Sequence, residues 1–227
     1  MTTLLLILIV AAAIVFVIAR FALSPPSRNP SGQSTVYDGT ALQGPAPDFL
    51  LFDQNGSPVA LSDFRGRIVA LTFLDSVCQD ICPLIALQFR QAFEQLKQSG
   101  TDVSRVVFLG VNVNTEANSL EDVMKFTQEQ GLNTILTWHF LTGTAAELEP
   151  VWKAYAISVA RDEKSGELVH TSGVYLLDQK SQRRWYISFP FADQGDSATA
   201  QREPSLSDLL VKKIQRLLST GANAARI

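Results

Sequence analysis

Cysteine and histidine are scarce in this chain of 227 residues, which contains two of each. Cys78 and Cys82 lie together in the stretch "LDSVCQDICPLIALQF", separated by three residues and not by the two residues of a thioredoxin motif. A disulfide between them would close a very short loop and would constrain the unfolded chain little. A purely structural disulfide would therefore stabilise the fold little, and a chemical role is the better explanation for the pair.

Blocks of lysine or arginine are absent as well. The formal charge is -3, and no stretch has the clustered basic residues that a protein needs to bind a phosphate backbone. Nucleic acid is therefore excluded as a partner. The hydrophobic content of 46% is sufficient for one globular domain with a full core.

An unbroken apolar run, "LLLILIVAAAIVFVIA", occupies residues 4–19. As a helix it would be about 24 Å long, which is short of a bilayer core of about 30 Å. Adding Arg20, whose stem can snorkel, and residues 21–23 extends the helix to about 30 Å. We therefore predict a transmembrane anchor at residues 1–23. The alternative is a signal peptide cleaved after Ala19, but no Lys or Arg precedes the run.

The stretch that follows the apolar run is rich in Pro, Gly and Ser. It predicts a flexible linker at residues 24–45 and a folded domain at residues 46–220. Arg20 and Arg28 come after the apolar run, so the positive-inside rule alone would place the domain in the cytoplasm. An orientation that rests on only two charges is weakly supported, so a functional argument can override it.

Strand patterns alternate with helix patterns along the domain. Apolar residues on both sides of Asn55-Gly56 predict an opening β-hairpin. The continuous runs "RIVALTFLD" and "RVVFLGVNV" predict two buried central strands. Two further strands are predicted in "GELVHTSGVYLLD" and "RRWYISF", joined by the turn "QKSQ". The order of elements resembles a thioredoxin-like α/β fold, with a central sheet flanked by helices.

Four segments have the apolar period of a helix. They are residues 84–98, "SLEDVMKFTQEQG", "TAAELEPVWKAYAI" and "SLSDLLVKKIQRLLSTG". Ser119 is expected to cap the second helix, and Gly131 to end it. In the first helix we expect one buried face, formed by Leu84, Leu87, Phe89, Phe93 and Leu96.

The two cysteines lie where the first central strand meets the first long helix. Positions four apart in a helix share a face, so Cys78 and Cys82 can present two sulfurs to one point. The positive end of the helix dipole favours thiolate over thiol. Two thiolates select copper(I) or zinc over hard cations, and copper tolerates three ligands where structural zinc rarely does. The pair can therefore form a disulfide or bind a soft metal.

Two sulfurs alone make a poor permanent metal site, so a third donor is expected, and the chain offers two histidines. His170 precedes the apolar strand "GVYLLD". In a thioredoxin-like sheet the loop before that strand lies beside the carboxyl end of the first central strand, where the cysteines are. We therefore favour His170 as the third donor. His139, in "TWHFLTG", is predicted to be a solvent-facing strand residue or a polar residue with a satisfied hydrogen bond.

These motifs together resemble the Sco/SenC family of membrane-anchored copper proteins. "CQDICP" and "VHTSGVYLLD" are similar to the family's C-x-x-x-C-P pattern and to its later histidine before an apolar strand. The resemblance covers about residues 46–218 and implies a copper ion held by Cys78, Cys82 and His170. Two departures stand out. Gln79 replaces a usual proline, and "VNVNTEANSLED" lacks the family's Asp-Pro-x-x-Asp-Thr-Pro loop.

The resemblance implies a copper metallochaperone, not an enzyme, that delivers copper to a respiratory oxidase, such as the copper-bearing subunit of cytochrome oxidase. Such a domain would face the periplasm or cell exterior from a single-pass anchor in the plasma (inner) membrane, which overrides the two arginines. The alternative is a thiol-disulfide oxidoreductase that cycles Cys78 and Cys82. The three-residue spacing argues against it, and so does Thr171-Ser172 where thioredoxins have a cis-proline. Peroxidase chemistry is disfavoured because Asp75, not Thr or Ser, stands three residues before Cys78.

Overall fold

The computed structural model describes residues 37–189 and 204–224. Within these ranges the chain forms ten strands and four α-helices, with short 3₁₀ turns between them. The strands are β1 (Thr40–Ala41), β2 (Leu50–Phe52), β3 (Pro58–Ala60), β4 (Ile68–Leu74), β5 (Val106–Asn112), β6 (Trp138–Leu141), β7 (Val159–Arg161), β8 (Leu168–His170), β9 (Gly173–Leu177) and β10 (Arg183–Ser188). The helices are α1 (Ile81–Gln98), α2 (Leu120–Glu129), α3 (Ala145–Ala154) and α4 (Leu206–Ala224).

The central sheet has six strands in the order β1-β10-β9-β4-β5-β6. Strands β4, β5 and β6 run parallel, and β9 pairs antiparallel with β4. All seven residues of β4 and of β5 are buried, as the continuous apolar runs of the sequence predict. A strand that is apolar on both faces needs cover on both faces, which explains the helices above and below. The α/β thioredoxin-like fold is confirmed.

Two apolar layers cover the sheet. One core cluster joins α1, α2 and α4 to one face, and the other joins α3 and the β2–β3 hairpin to the opposite face. The predicted cap of α2 is confirmed, because Ser119 and Asp122 exchange the two hydrogen bonds of a capping box. Gly131 ends that segment in the left-handed conformation, with φ of 65°.

Helix α1 differs from its predicted form. It begins at Ile81, and Asp80 caps its first turn. Leu84 and Leu87 are 50% and 39% exposed, so the predicted buried face was wrong at these two positions. The buried positions recur every three or four residues from Cys82. They are Cys82, Ile85, Ala86, Phe89, Ala92, Phe93 and Leu96.

The β-hairpin predicted around Asn55-Gly56 is confirmed, and β2 pairs with β3 through Leu50↔Ala60. A second hairpin was not predicted. The segment "GELVHTSGVYLLD" forms two strands, and its first strand, β8, pairs with β7 outside the central sheet. The polar turn between β7 and β8 is closed by the Asp162 carboxylate, which accepts hydrogen bonds from backbone N–H groups.

The amino-terminal edge of the sheet lies within the predicted linker at residues 24–45. Strand β1 pairs with β10 through Thr40↔Tyr186, and Asp38 forms ion pairs with two lysines of α4. Folded structure therefore extends before residue 46, because β10 accepts one more strand. The transmembrane anchor predicted at residues 1–23 lies outside the described residues. Among the described helices, none has both the length and the apolar character that a membrane span requires.

Candidate metal centre

The two cysteines lie at the carboxyl end of β4. Cys78 is half-buried in the loop before α1, and Cys82 is buried in the first helical turn. The sequence placed both residues on one helical face, but Cys78 precedes the helix. Its sulfur still reaches the helix, because the Cys82 backbone N–H donates to Cys78 Sγ over 3.5 Å. Cys78 therefore accepts one of the free N–H groups at the helix amino terminus.

His170, the last residue of β8, lies beside the buried sulfur. His170 Nε2 is 3.7 Å from Cys82 Sγ, although 88 residues separate the two in sequence. His170 Nδ1 lies 3.1 Å from the Thr171 carbonyl oxygen. A carbonyl can only accept, so Nδ1 carries the proton and Nε2 turns its lone pair toward the sulfur. The backbone thus orients the imidazole in the tautomer that metal ligation requires.

The distance between His170 and Cys82 suits a shared soft metal. With bonds of about 2.3 Å to sulfur and about 2.0 Å to nitrogen, two ligands of one metal lie roughly 3.5–3.7 Å apart. Over residues 37–189 and 204–224, however, no three His, Cys, Asp or Glu side chains already converge on one metal position. Cys78 Sγ instead lies 2.9 Å from Asp80 Oδ1. The donor set fits copper(I) in kind, with Cys82 and His170 already paired and Cys78 nearby.

The ionisation of the two cysteines is asymmetric. A hydrogen bond from the Cys82 thiol lowers the pKa of Cys78 more than burial and the Asp80 carboxylate raise it. The same hydrogen bond and burial raise the pKa of Cys82 far above its ordinary value. Of the two cysteines, Cys78 is therefore the one that loses its proton first in the metal-free state, and Cys82 retains its proton more strongly. Metal binding must release the Cys82 proton.

The protonation of His170 also favours ligation. Burial lowers the pKa of His170 below its ordinary value, and this effect outweighs the hydrogen bond to Thr171 and the nearby negative charges. The imidazole is therefore neutral at pH 7 and has a free lone pair. His139 does not approach the cysteines. Its Nδ1 lies 3.1 Å from Asp53 Oδ2 at the β2–β3 turn, which is the satisfied polar role that the sequence predicts.

Several supporting residues were missed by the sequence reasoning. Asp75 is buried, and its Oδ1 accepts from the Val77 backbone N–H and from Asn114 Nδ2, each over 3.0 Å. The Ser76 hydroxyl donates to the Ala117 carbonyl over 2.6 Å. These bonds join the cysteine loop to the loop after β5. Asn112 is the last residue of buried strand β5 and Asn114 follows it, and polar residues at the end of a buried strand were the available signal.

The β7–β8 hairpin forms one side of a cleft at the cysteines. The cleft has a volume of about 350 Å³, and Cys78, Asp80 and Asn114 line the side opposite Arg161 and Leu168. Cys78 is thus the sulfur that a partner can approach. Cys82 and the inner edge of His170 lie beneath it.

The SCO1/SenC family model matches residues 39–202, which is more than half of the chain. Copper-bound ScoI of Arabidopsis thaliana superimposes with a TM-score of 0.61 at 19% identity, covering 78% of this chain and 99% of that one. A SCO1/SenC family lipoprotein of Bacillus anthracis str. Ames superimposes with a TM-score of 0.63 at 22% identity, covering 79% of this chain and 98% of that one. BsSco, a member of the Sco family of cytochrome c oxidase assembly proteins, superimposes with a TM-score of 0.60 at 18% identity. The match covers 80% of this chain and 97% of that one. At these identities the likeness establishes the fold.

Curated proteins with similar sequences include peroxiredoxins. Peroxiredoxin Q of Triticum aestivum is 34% identical over 86 residues, which cover 37% of this chain and 40% of that protein. Peroxiredoxin Bcp of Escherichia coli (strain K12) is 32% identical over 91 residues, covering 40% and 53%. The chain thus spans about half or less of the length of these relatives.

Proposed function

Since the chain belongs to the SCO1/SenC family, we propose that it is a copper metallochaperone that carries a copper ion and delivers it to another protein. Cys78, Cys82 and His170 are the proposed ligands. The observation that carries the proposal is the 3.7 Å approach of His170 Nε2 to Cys82 Sγ, with the lone pair facing the sulfur.

The exposure of the site suits transfer. Cys78 is half-buried and lines the cleft, so an incoming thiolate or imidazole can join the copper ion before an original ligand leaves. A mixed set of soft sulfur and borderline nitrogen donors holds either copper oxidation state. Transfer then needs only one ligand to be replaced at a time.

The proposed recipient is the copper-bearing subunit of a respiratory oxidase. This assignment is supported by the description of BsSco as belonging to the cytochrome c oxidase assembly proteins. We further propose that residues 1–23 anchor the chain in the plasma (inner) membrane and that the domain faces the periplasm or cell exterior. The Bacillus anthracis relative, a lipoprotein, supports membrane attachment. Protease accessibility in spheroplasts tests the orientation, and protection of the domain would contradict it.

X-ray absorption on the copper-loaded full chain tests the ligand set directly. We expect two sulfur neighbours and at least one imidazole nitrogen. His170→Ala should remove the imidazole signal and weaken copper binding by more than about tenfold. His139→Ala is the matched control and should change neither, because its ring is bonded to Asp53. An unchanged spectrum and affinity in His170→Ala would refute the third ligand.

A thiol-disulfide oxidoreductase is the second candidate, and the asymmetry of the cysteines favours it. Cys78 is accessible with a lowered pKa, as an attacking thiolate is, and Cys82 is a buried partner that could resolve a mixed disulfide. The peroxiredoxin relatives add support for thiol chemistry of this kind. Asp75 still stands where peroxidase chemistry requires Thr or Ser.

The reduction potential of the cysteine pair separates the two candidates. A value within the range of about -120 to -270 mV covered by thioredoxin-like oxidoreductases would favour redox cycling. A copper shell without two sulfurs would favour it as well. A reduction potential far outside that range, together with tight copper binding, would favour the copper-carrier role.

A further inference from the structure

The β7–β8 hairpin carries His170 but is loosely attached to the domain. Its two strands pair with each other and with no strand of the central sheet. Val159 and Leu168 pack partly against the core, whereas Val169 is 56% exposed. At the base of the hairpin, Ser158 and Thr171 exchange two hydrogen bonds. The base is therefore fixed, and the outer part needs another attachment to stay over the cleft.

Arg161 supplies an attachment of this kind. Its Nη2 lies 2.6 Å from Glu116 Oε2 on the loop that follows β5. Its Nη1 donates to the Gly166 carbonyl over 3.0 Å, across the hairpin turn. One planar guanidinium thus joins both sides of the hairpin to a loop on the far side of the cleft. A lysine ammonium, as a point charge without a fork, could not hold this geometry.

Glu116 is itself held by a network that reaches the cysteines. The Asn114 side chain accepts from the Glu116 backbone N–H over 2.9 Å and donates to buried Asp75. The Asp75 backbone N–H donates to Cys82 Sγ over 3.4 Å. The network therefore runs from Arg161 through Glu116, Asn114 and Asp75 to Cys82.

This network lies in the segment where the sequence departs from the family pattern. "VNVNTEANSLED" has no Asp-Pro-x-x-Asp-Thr-Pro loop, and it contributes Asn114 and Glu116 in its place. The role of the altered loop was not apparent from the sequence, because Arg161 is distant in the chain and unremarkable as a surface cation.

We propose that Arg161 and Glu116 are positioning residues whose ion pair, called here the strap, holds the β7–β8 hairpin across the cleft. The strap keeps the outer part of the hairpin over the cleft and limits access to Cys78, while His170 lies at the fixed base. Its effect on copper release rests on the proposed function, whereas its effect on Cys78 access does not. Both partners are exposed, so the effects should be modest, at about two- to fivefold.

The experiment uses the full chain with four variants. Glu116→Gln and Arg161→Gln break the strap, and the double variant with Glu116→Arg and Arg161→Glu restores it with reversed charge. Arg184→Gln is the matched control, because Arg184 pairs with Asp178 over 3.8 Å at the opposite end of the sheet. Iodoacetamide labelling measures access to Cys78 in the reduced, metal-free chain. Hydrogen exchange of residues 159–170 measures opening of the hairpin.

We expect labelling and exchange about two- to fivefold faster in the two broken variants and wild-type values in Arg184→Gln. The reversed pair regains the ion pair but not the bond to the Gly166 carbonyl, so its rates should lie between those of the wild type and the broken variants. Raising the salt concentration from about 0.05 M to about 0.5 M should speed labelling in the wild type and not in Glu116→Gln, because salt screens exposed pairs. In copper-loaded chains, release to a chelator should quicken by the same factor.

Wild-type rates in Glu116→Gln, or a reversed pair whose rates are no slower than those of the single variants, would overturn the strap. Failure of the proposed function gives a different pattern, in which the wild type binds no copper while the labelling and exchange differences persist. Loss of folding in a variant is checked by thermal melting. The salt series compares the wild type with Glu116→Gln alone, so it tests the strap without the charge-reversed chain.

Discussion

Gly173 is the first residue of β9, three positions after His170, and it packs directly under the Tyr186 ring. A Cβ at this position would lie 2.5 Å from Tyr186 Cζ and Oη, and 2.7 Å from the Ile187 carbonyl oxygen. Real Cβ contacts are not this short, so Gly173→Ala must displace either the ring or the backbone of β10. The Tyr186 hydroxyl also donates to the Ser172 carbonyl over 3.0 Å. The displacement would therefore reach the loop that follows His170.

The size of the effect follows from two contributions. Overpacking of a well-packed site costs about 1–3 kcal/mol, and loss of the Tyr186 hydrogen bond costs about 1 kcal/mol. We expect Gly173→Ala to lower the free energy of unfolding by about 2–4 kcal/mol. A domain of this size has about 5–15 kcal/mol of stability, so the variant should still fold.

Urea denaturation measures this change, and Gly100→Ala serves as control. Gly100 has φ of 74°, and a Cβ added there would meet no heavy atom within 4 Å, so only backbone strain of about 1 kcal/mol is expected. Copper release should be faster in Gly173→Ala, because the His170 loop shifts, and unchanged in Gly100→Ala. If Gly173→Ala is within about 0.5 kcal/mol of wild type, the close packing of Tyr186 on Gly173 is refuted.

Two further predictions concern charged groups. Because its pKa is lowered, Cys78 should react with iodoacetamide with a midpoint at lower pH than an unperturbed thiol measured in the same buffer, whereas Cys82 should stay unlabelled at that pH; a midpoint above that of the unperturbed thiol contradicts the order in which the two cysteines ionise. Asp38→Asn should destabilise the domain by about 1–3 kcal/mol at pH 7, because it removes the partner of Lys213, whose side chain is 2% exposed. Burial opposes the ionisation of Asp38, but its bonds to lysine lower its pKa overall, so its contribution is full above about pH 4 and is lost as pH falls through the folded pKa. Urea denaturation of the wild type and of Asp38→Asn at a series of acidic pH values checks this. If both proteins lose the same free energy of unfolding as the pH falls, the prediction is contradicted.

Local signals in the sequence account for most of the correct predictions. The runs that became β4 and β5 are almost wholly apolar, with Thr72 and Asn112 as the polar exceptions, and only a strand covered on both faces accommodates such a run. Asn55-Gly56 determines its turn because Gly56 has φ of 77°. Ser119 caps α2 through atoms only three residues away. Each of these signals acts between neighbours in the chain.

The wrong predictions concern positions whose structure depends on contacts between distant parts of the chain. Leu84 and Leu87 are as apolar as the residues that α1 buries, and only the orientation of α1 against the sheet leaves them exposed. The break between β8 and β9 lies where the chain changes partners, because β8 pairs with β7 whereas β9 pairs with β10 and β4 of the central sheet. Periodicity alone carries no information about either contact.

By itself the sequence determined the chemical types at the site: two thiols beside a helix amino terminus, and two imidazoles from which to choose a third donor. The tertiary structure decided which imidazole meets the sulfurs, since strand order brings His170 to Cys82 and bonds His139 to Asp53. It also decided that Glu116 and Arg161 face each other across the cleft. The physical reason is that strand order is set by burying both faces of one sheet, which is a property of the whole chain and not of any short segment.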